Sequence, residues 1–298
     1  MMDAVWPGRG ASIVAMAGLC LVLGAVAPLA GCSRRDDGDG GAAAPQPGAR
    51  LGTDPVHWAP YAEPTEHAFT VELPEGWPAQ GGLRRLTTGE VRPWLRASAP
   101  DGSAEIFIGD PDIPDFTPPT TSLADAGLTE GRVYMPGEGR ALMVSPYHEG
   151  QAFAAEWGRG KLGAHCDQVT PVGGQSLPDA SAALAGADGP PPARTGVKAG
   201  ETRFTCQYRG QPAQAYVFAA TTLDSRGPFE VWGVEVVGGL IAQTDRRAIA
   251  VGALGHAARS FAPDAEWLKR QPGWSGDRIR ETPKVFPMLA AAAEAAPR

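Results

Sequence analysis

Asp110, Asp112 and Asp115 fall close together in "GDPDIPD", and hard carboxylate oxygens at this spacing can wrap a divalent cation such as Ca2+. An EF-hand loop would place Asp at alternate positions followed by Gly, and the prolines around this loop limit its wrapping. The alternative reading is an acidic, solvated loop after a strand. Histidines occur at 57, 67, 148, 165 and 256, without an H-x-x-H or H-E-x-x-H pair. "HEGQA" at 148–152 begins like a zincin helix but carries Ala152 where the second ligand must stand. No serine sits in a G-x-S-x-G elbow. "GRGKLG" at 158–163 matches G-x-G-x-x-G, but a dinucleotide site needs that string after a strand and opening a helix. Here it follows a helical stretch and reads as a glycine stop. His165, Cys166 and Asp167 set a base, a nucleophile and an acid side by side, yet neighbours on extended chain point to opposite faces. Neither catalysis nor a cofactor is expected, and a hydrolase with a non-standard site is the remaining enzymatic reading.

Composition narrows the field further. The chain has 298 residues, 43 % apolar, with a formal net charge of −7. No basic run extends beyond Arg34-Arg35, so nothing attracts a phosphate backbone and nucleic acid is not an expected partner. The run from Ala11 to Ala30 is apolar apart from Ser12, glycines and Pro28. Its core of roughly 15 residues has signal-peptide length, short of the ~20 that a spanning helix needs. It ends on a seam, "APLAGCSRRDDGDGG", where charged, Gly-rich chain begins at a cysteine.

Leu29-Ala30-Gly31-Cys32 resembles the lipobox of bacterial lipoproteins, an aliphatic residue and two small ones before a Cys. The resemblance implies cleavage before Cys32, a diacylglycerol on its thiol, acylation of the new amine, and a membrane anchor. The other readings are a signal anchor, or an ordinary secretory signal in which Cys32 is incidental. Several acyl chains on one residue hold a membrane firmly, where one chain holds it marginally. Residues 1–31 are then a signal peptide, and 32–62, rich in Gly, Ala, Asp and Pro, a flexible tether. Ser33 follows the Cys; in enterobacterial lipoproteins Asp there retains the protein in the inner membrane, so the resemblance implies the outer membrane, facing the periplasm.

Of the four cysteines, Cys20 leaves with the signal and Cys32 is acylated, so Cys166 and Cys206 remain as a pair in an oxidising compartment. A disulfide is the expected outcome; a zinc or redox pair is the alternative, without C-x-x-C spacing.

The body reads as α+β, antiparallel sheets with packing helices. "AFTVEL" places Phe69, Val71 and Leu73 on one face. "VRPWLRAS", Ile106-Phe107-Ile108 in "PDGSAEIFIGD", and "RALMVS" continue as strands, and Pro93 points to an edge or bulge. Ser145 and Pro146 are expected to open a helix with Phe153 and Trp157 on its buried face. Residues 166–200 have no defensible period and read as a linker or long loop. "TRFTCQYRG", "QAYVFAATTL" and "VWGVEVVGGL" follow as strands, then a helix capped by Thr244 and stopped by Pro263. The expected halves are 63–165 and 201–272, with 273–298 as a C-terminal tail, a marginal helix or a frayed end.

"FTVELPEGW" (69–77) and the "SF" (260–261) before "EWLKRQ" give the body a weak resemblance to the PsbP-like group. That resemblance implies a sheet covered by helices, in one or two such halves, and protein binding without catalysis. A lipid-anchored interaction module with an envelope protein as partner is thus the leading functional expectation. A glycan- or Ca2+-binding lipoprotein is the alternative, peptidoglycan being the local polymer. Trp58, Trp77, Trp94 and Trp274 flank prolines or turns where an indole face can stay open to a sugar, whereas Trp157 and Trp232 read as core.

Overall fold

Phe69, Val71 and Leu73 are buried, and Thr70 and Glu72 between them are exposed, which is the two-residue period of a strand with one wet face. A computed structural model describes residues 56–296, apart from 87–90, 138–139, 187–195, 226–229 and 272–273. The chain runs β1 (Trp58–Ala62), β2 (Phe69–Pro74), β3 (Ala79–Arg85), β4 (Val91–Ser98), β5 (Ala104–Ile108) and β6 (Asp115–Thr117). Then come α1 (Thr121–Asp125), β7 (Val133–Gly137), β8 (Arg140–Val144), α2 (Gly150–Gly163), β9 (Cys166–Ser176) and α3 (Pro178–Gly186). Last are β10 (Lys198–Tyr208), β11 (Gln211–Asp224), β12 (Val231–Gln243), α4 (Arg247–Ser260), β13 (Ala262–Pro263), α5 (Ala265–Arg270) and α6 (Trp274–Ala295).

The fold is α+β. One large sheet has the order β3-β4-β5-β12-β11-β10-β9, with β6, β8 and β7 branching from β12, and its main path is antiparallel. A small sheet, β1-β2-β13, lies beside α4. The large sheet is buried on both faces. Ile106, Ile108, Tyr216, Phe218 and Leu240 face α4 and α6; Phe107, Phe204, Val217, Val237 and Ile241 face α2. Each such buried aliphatic or aromatic side chain contributes roughly 1.5–3 kcal/mol.

β12 shows how a continuous apolar run serves two faces. Its pairing with β11 shifts between Ala220↔Val236 and Thr221↔Val234, leaving Glu235 as the extra residue of a bulge. Before the bulge Trp232 and Val234 face α2. After it Val237 and Ile241 do, while Val236 and Leu240 turn to the other side. Pro93 is tolerated in β4 because β5 pairing stops at Leu95↔Ile108, so Pro93 has a partner strand, at Leu83, on one side only.

Several expectations are corrected. Where the expected linker or loop 166–200 is described, it is largely regular: β9 pairs antiparallel with β10 along most of its length, and α3 follows to Gly186. Its glycines and prolines hid the strand because it is an edge, exposed at most positions. The two expected halves share one sheet, since β5 pairs with β12. The C-terminal segment is α6, whose Val285, Phe286, Leu289, Ala290 and Ala293 are buried in the core shared with α4. Residues 58–62 of the expected tether are β1, where Trp58 stacks on His256 of α4 at 3.6 Å between ring centroids. His256 Nε2 lies 2.7 Å from Glu72 Oε2.

Helix starts also differ. Ser145 and Pro146 precede α2 in extended chain, and the Ser145 carbonyl instead accepts from Trp232 Nε1 at 2.9 Å. The Thr244 hydroxyl donates to the Pro212 carbonyl at 3.2 Å rather than capping α4, which follows a short 3-10 turn. α4 ends at Ser260, before Pro263. Phe153 and Trp157 share the buried face of α2 as expected, and the helix runs through "GRGKLG" to Gly163.

The first turn of α2 presses onto the sheet backbone. A Cβ on Gly200 would lie 2.5 Å from the Gln151 nitrogen, and one on Gly150 2.4 Å from two strand carbonyls. Gly160, further along the same helix, faces open space. Gly200→Ala should therefore lower stability by about 1–3 kcal/mol, whereas Gly160→Ala should raise it by about 0.5–1 kcal/mol. Urea denaturation of the two variants checks the contrast.

Candidate functional site

The acidic loop after β5 does not gather its carboxylates. Asp110 is buried, with Oδ2 2.7 Å from Lys161 Nζ of α2. Asp112 lies 3.6 Å from the same ammonium and donates its backbone N–H to Asp110 Oδ1. Asp115 opens β6 and accepts from Arg92 of β4 at 2.6 Å, both side chains being nearly buried. Each carboxylate is matched to a protein cation, and among the described residues no three metal-ligating side chains converge. Beside them is a cavity of about 50 Å³, lined by Arg92, Asp110, Ile113, Glu235, Val237 and Phe286. That volume holds a few waters and is far below the roughly 300 Å³ of a small-molecule pocket.

Cys166 and Cys206 stand at disulfide distance, with Cα atoms 5.8 Å apart and both side chains buried under α2. Cys32 lies outside the described residues, as do the signal and residues 32–55 of the tether. No helix among the described residues is long and apolar enough to cross a membrane.

Next to Cys166, His165 is held below its ordinary value of 6.5, chiefly by burial and then by Arg96 and Lys161, while Glu105 opposes them. Glu105 in turn pairs with Arg96, Oε1 to Nε 3.1 Å. Nothing in this arrangement activates a nucleophile: the thiol on the neighbouring residue faces its partner cysteine. What it does is keep a neutral imidazole in a packed position.

The tryptophans divide into two groups. Trp157, Trp232 and Trp267 are buried, and Trp232 sits in an aromatic cluster with Phe116, Tyr147, His148 and Phe153. Trp77 packs partly against the core. The Trp274 side chain lies outside the described residues. Trp94 is different: it is half-buried yet belongs to neither core. Its indole lies over Gly82, its cross-strand partner, where a Cβ would come within 3.3 Å of Nε1. Arg92 and Arg96 are on the same face of β4, and Gln80 and Arg84 oppose them on β3. α2 covers β9, β10 and β11, leaving this face of β3 and β4 without a helix among the described residues. Composition could name Trp94 as a candidate and strand alternation puts Arg92 and Arg96 beside it; only the pairing register adds Gln80 and Arg84.

A second surface went unnoticed in the sequence. On β7, Met135 is 67 % exposed and Val133 46 % exposed, two apart and so on one face. Among the described residues β7 pairs with β8 alone, so its other edge is open. Their alternation with Tyr134 was the available signal, in a segment too short and too close to Pro136 to stand out.

No family model matches this chain, and no curated protein matches it.

Because the folded imidazole resists protonation, the unfolded chain binds the extra proton as pH falls through 6.5. The stability that neutral His165 provides is present above that value and is lost below it. His165→Gln should therefore gain on the parent in urea midpoint between about pH 7.5 and about pH 5. A difference between the two that stays flat with pH would contradict this account.

Proposed function

We propose that this protein is a lipid-anchored module of the bacterial cell envelope that binds another envelope protein and carries out no reaction. The observation that carries the reading is Leu29-Ala30-Gly31-Cys32 at the end of an apolar run, followed by Gly-, Asp- and Pro-rich chain. In this reading the chain is cleaved before Cys32, acylated there, and faces the periplasm from the outer membrane. The buried pair Cys166 and Cys206 is then a disulfide, favoured by an oxidising compartment. Two strand-rich layers of core around one sheet suit a rigid binding body, and the PsbP-like resemblance points the same way.

The open edge of β7 is the surface we assign to the protein partner. Exposed Met and Val on an edge strand offer apolar contact, and the free backbone groups can take up an added strand.

Cys32→Ala should leave the protein unprocessed or released from membranes, and metabolic labelling with palmitate should mark the parent only. Equal label on the variant would refute the anchor. Replacing Val133 and Met135 together by Asp should abolish co-purification of the partner from crosslinked envelopes, with membrane attachment intact. Unchanged capture by that variant would remove β7 from the reading.

A further inference from the structure

The face of β3 and β4 that no described helix covers serves none of the roles assigned so far. We propose that it is a carbohydrate-binding surface, which takes a carboxylate-bearing glycan strand with one pyranose ring flat on Trp94. This goes beyond the protein-partner reading, which uses β7.

The first argument is the cost of leaving an indole outside a core. Trp buries more apolar area than any other side chain, and the buried Trp157, Trp232 and Trp267 do so here. Trp94 instead spends one ring face on Gly82, and no other described ring stacks on it. A glycine beneath lets the indole lie low and flat across the sheet. Trp94 keeps part of its surface in solvent, and an indole face presented there fits a pyranose, whose C–H-bearing face is apolar and meets the electron-rich face of the ring.

The rim of a sugar needs donors and acceptors together. Gln80, exposed and directly opposite Arg96 across the β3–β4 pair, offers both. Arg96 keeps a third of its side chain in solvent while its Nε engages Glu105, so its remaining N–H groups are placed to donate.

Shape and charge then select among glycans. The surface is open, and the nearby cavity of about 50 Å³ cannot enclose a sugar, so the ligand is an extended polymer lying across the strands. Arg92 is matched to Asp115 and Arg96 to Glu105, which among the described residues leaves Arg84 as the excess cation on this face. It stands two residues along β3 from Gly82, about 7 Å away. One isolated guanidinium suits carboxylates spaced along a largely uncharged polymer. A polyphosphate or polysulfate would call for a row of unmatched cations.

Co-sedimentation of the full chain in detergent tests this, with purified peptidoglycan sacculi as the carboxylate-bearing polymer and chitin as the carboxylate-free one. The parent should pellet with sacculi, and Trp94→Ala should weaken that by about tenfold or more. Trp94→Phe should keep part of the binding, and both variants should remain folded at the assay temperature by circular dichroism, since Trp94 is outside both cores. Arg84→Glu should weaken binding to sacculi several-fold and leave binding to chitin unchanged. A parent that pellets with neither polymer, or a Trp94→Ala variant that pellets like the parent, would overturn the proposal. Chitin bound as tightly as sacculi would overturn the carboxylate component. The Val133 and Met135 double variant should still bind sacculi; partner capture that persists while sacculus binding fails would sink this inference alone.

Discussion

The pairing of β12 with β5 on one side and β11 on the other is the constraint on which the molecule turns. It joins strands from both ends of the chain into one sheet, and so gives α4 with α6, and α2, a shared wall to pack against. Loop-closure entropy must be met before such distant segments are rewarded by contact. The reward comes from burying both faces at once, which is why β12 reads "VWGVEVVGGLIA" rather than as an alternation. The bulge at Glu235 is the means by which one run feeds two cores in opposite phase.

The parts legible in the sequence were those governed by local rules. Strands β2, β4, β5, β10, β11 and β12 carry alternation or dense β-branched and aromatic content. Helices α2 and α4 betray themselves by apolar spacing. What escaped was set by tertiary contact. β9 is a strand because β10 offers it an edge, not because "CDQVTPVGGQS" prefers to be extended. α6 is alanine-rich with few large apolar residues, a marginal helix in isolation that is retained by packing on α4. Helix starts were misplaced where Ser145 and Thr244 put their hydrogen bonds into strand neighbours instead of a helical turn.

The candidate sites follow the same division. Three aspartates in a row of prolines suggested convergence on a cation, yet two answer to Lys161 and one to Arg92. No local pattern could have foreseen that, because the answering cations come from α2 and β4. The cysteine pair was readable only through the lipobox resemblance, which set Cys20 and Cys32 aside, and the fold brings Cys166 and Cys206 to disulfide distance. Trp94 was readable as a residue that could be exposed, with Arg92 and Arg96 on its face by alternation, but Gly82 beneath it and Arg84 beside it are products of cross-strand register. Val133 and Met135 left almost no trace, because an exposed apolar pair differs from a buried one only in what the fold leaves uncovered.

The contact between Trp58 and His256 has a mechanical meaning for the first described strand. There the indole is clamped to α4 by a stacked ring that Glu72 steadies from β2. A pull on β1 is thereby shared by a helix and a strand, so this strand is held by more than its own ladder and resists peeling from that side.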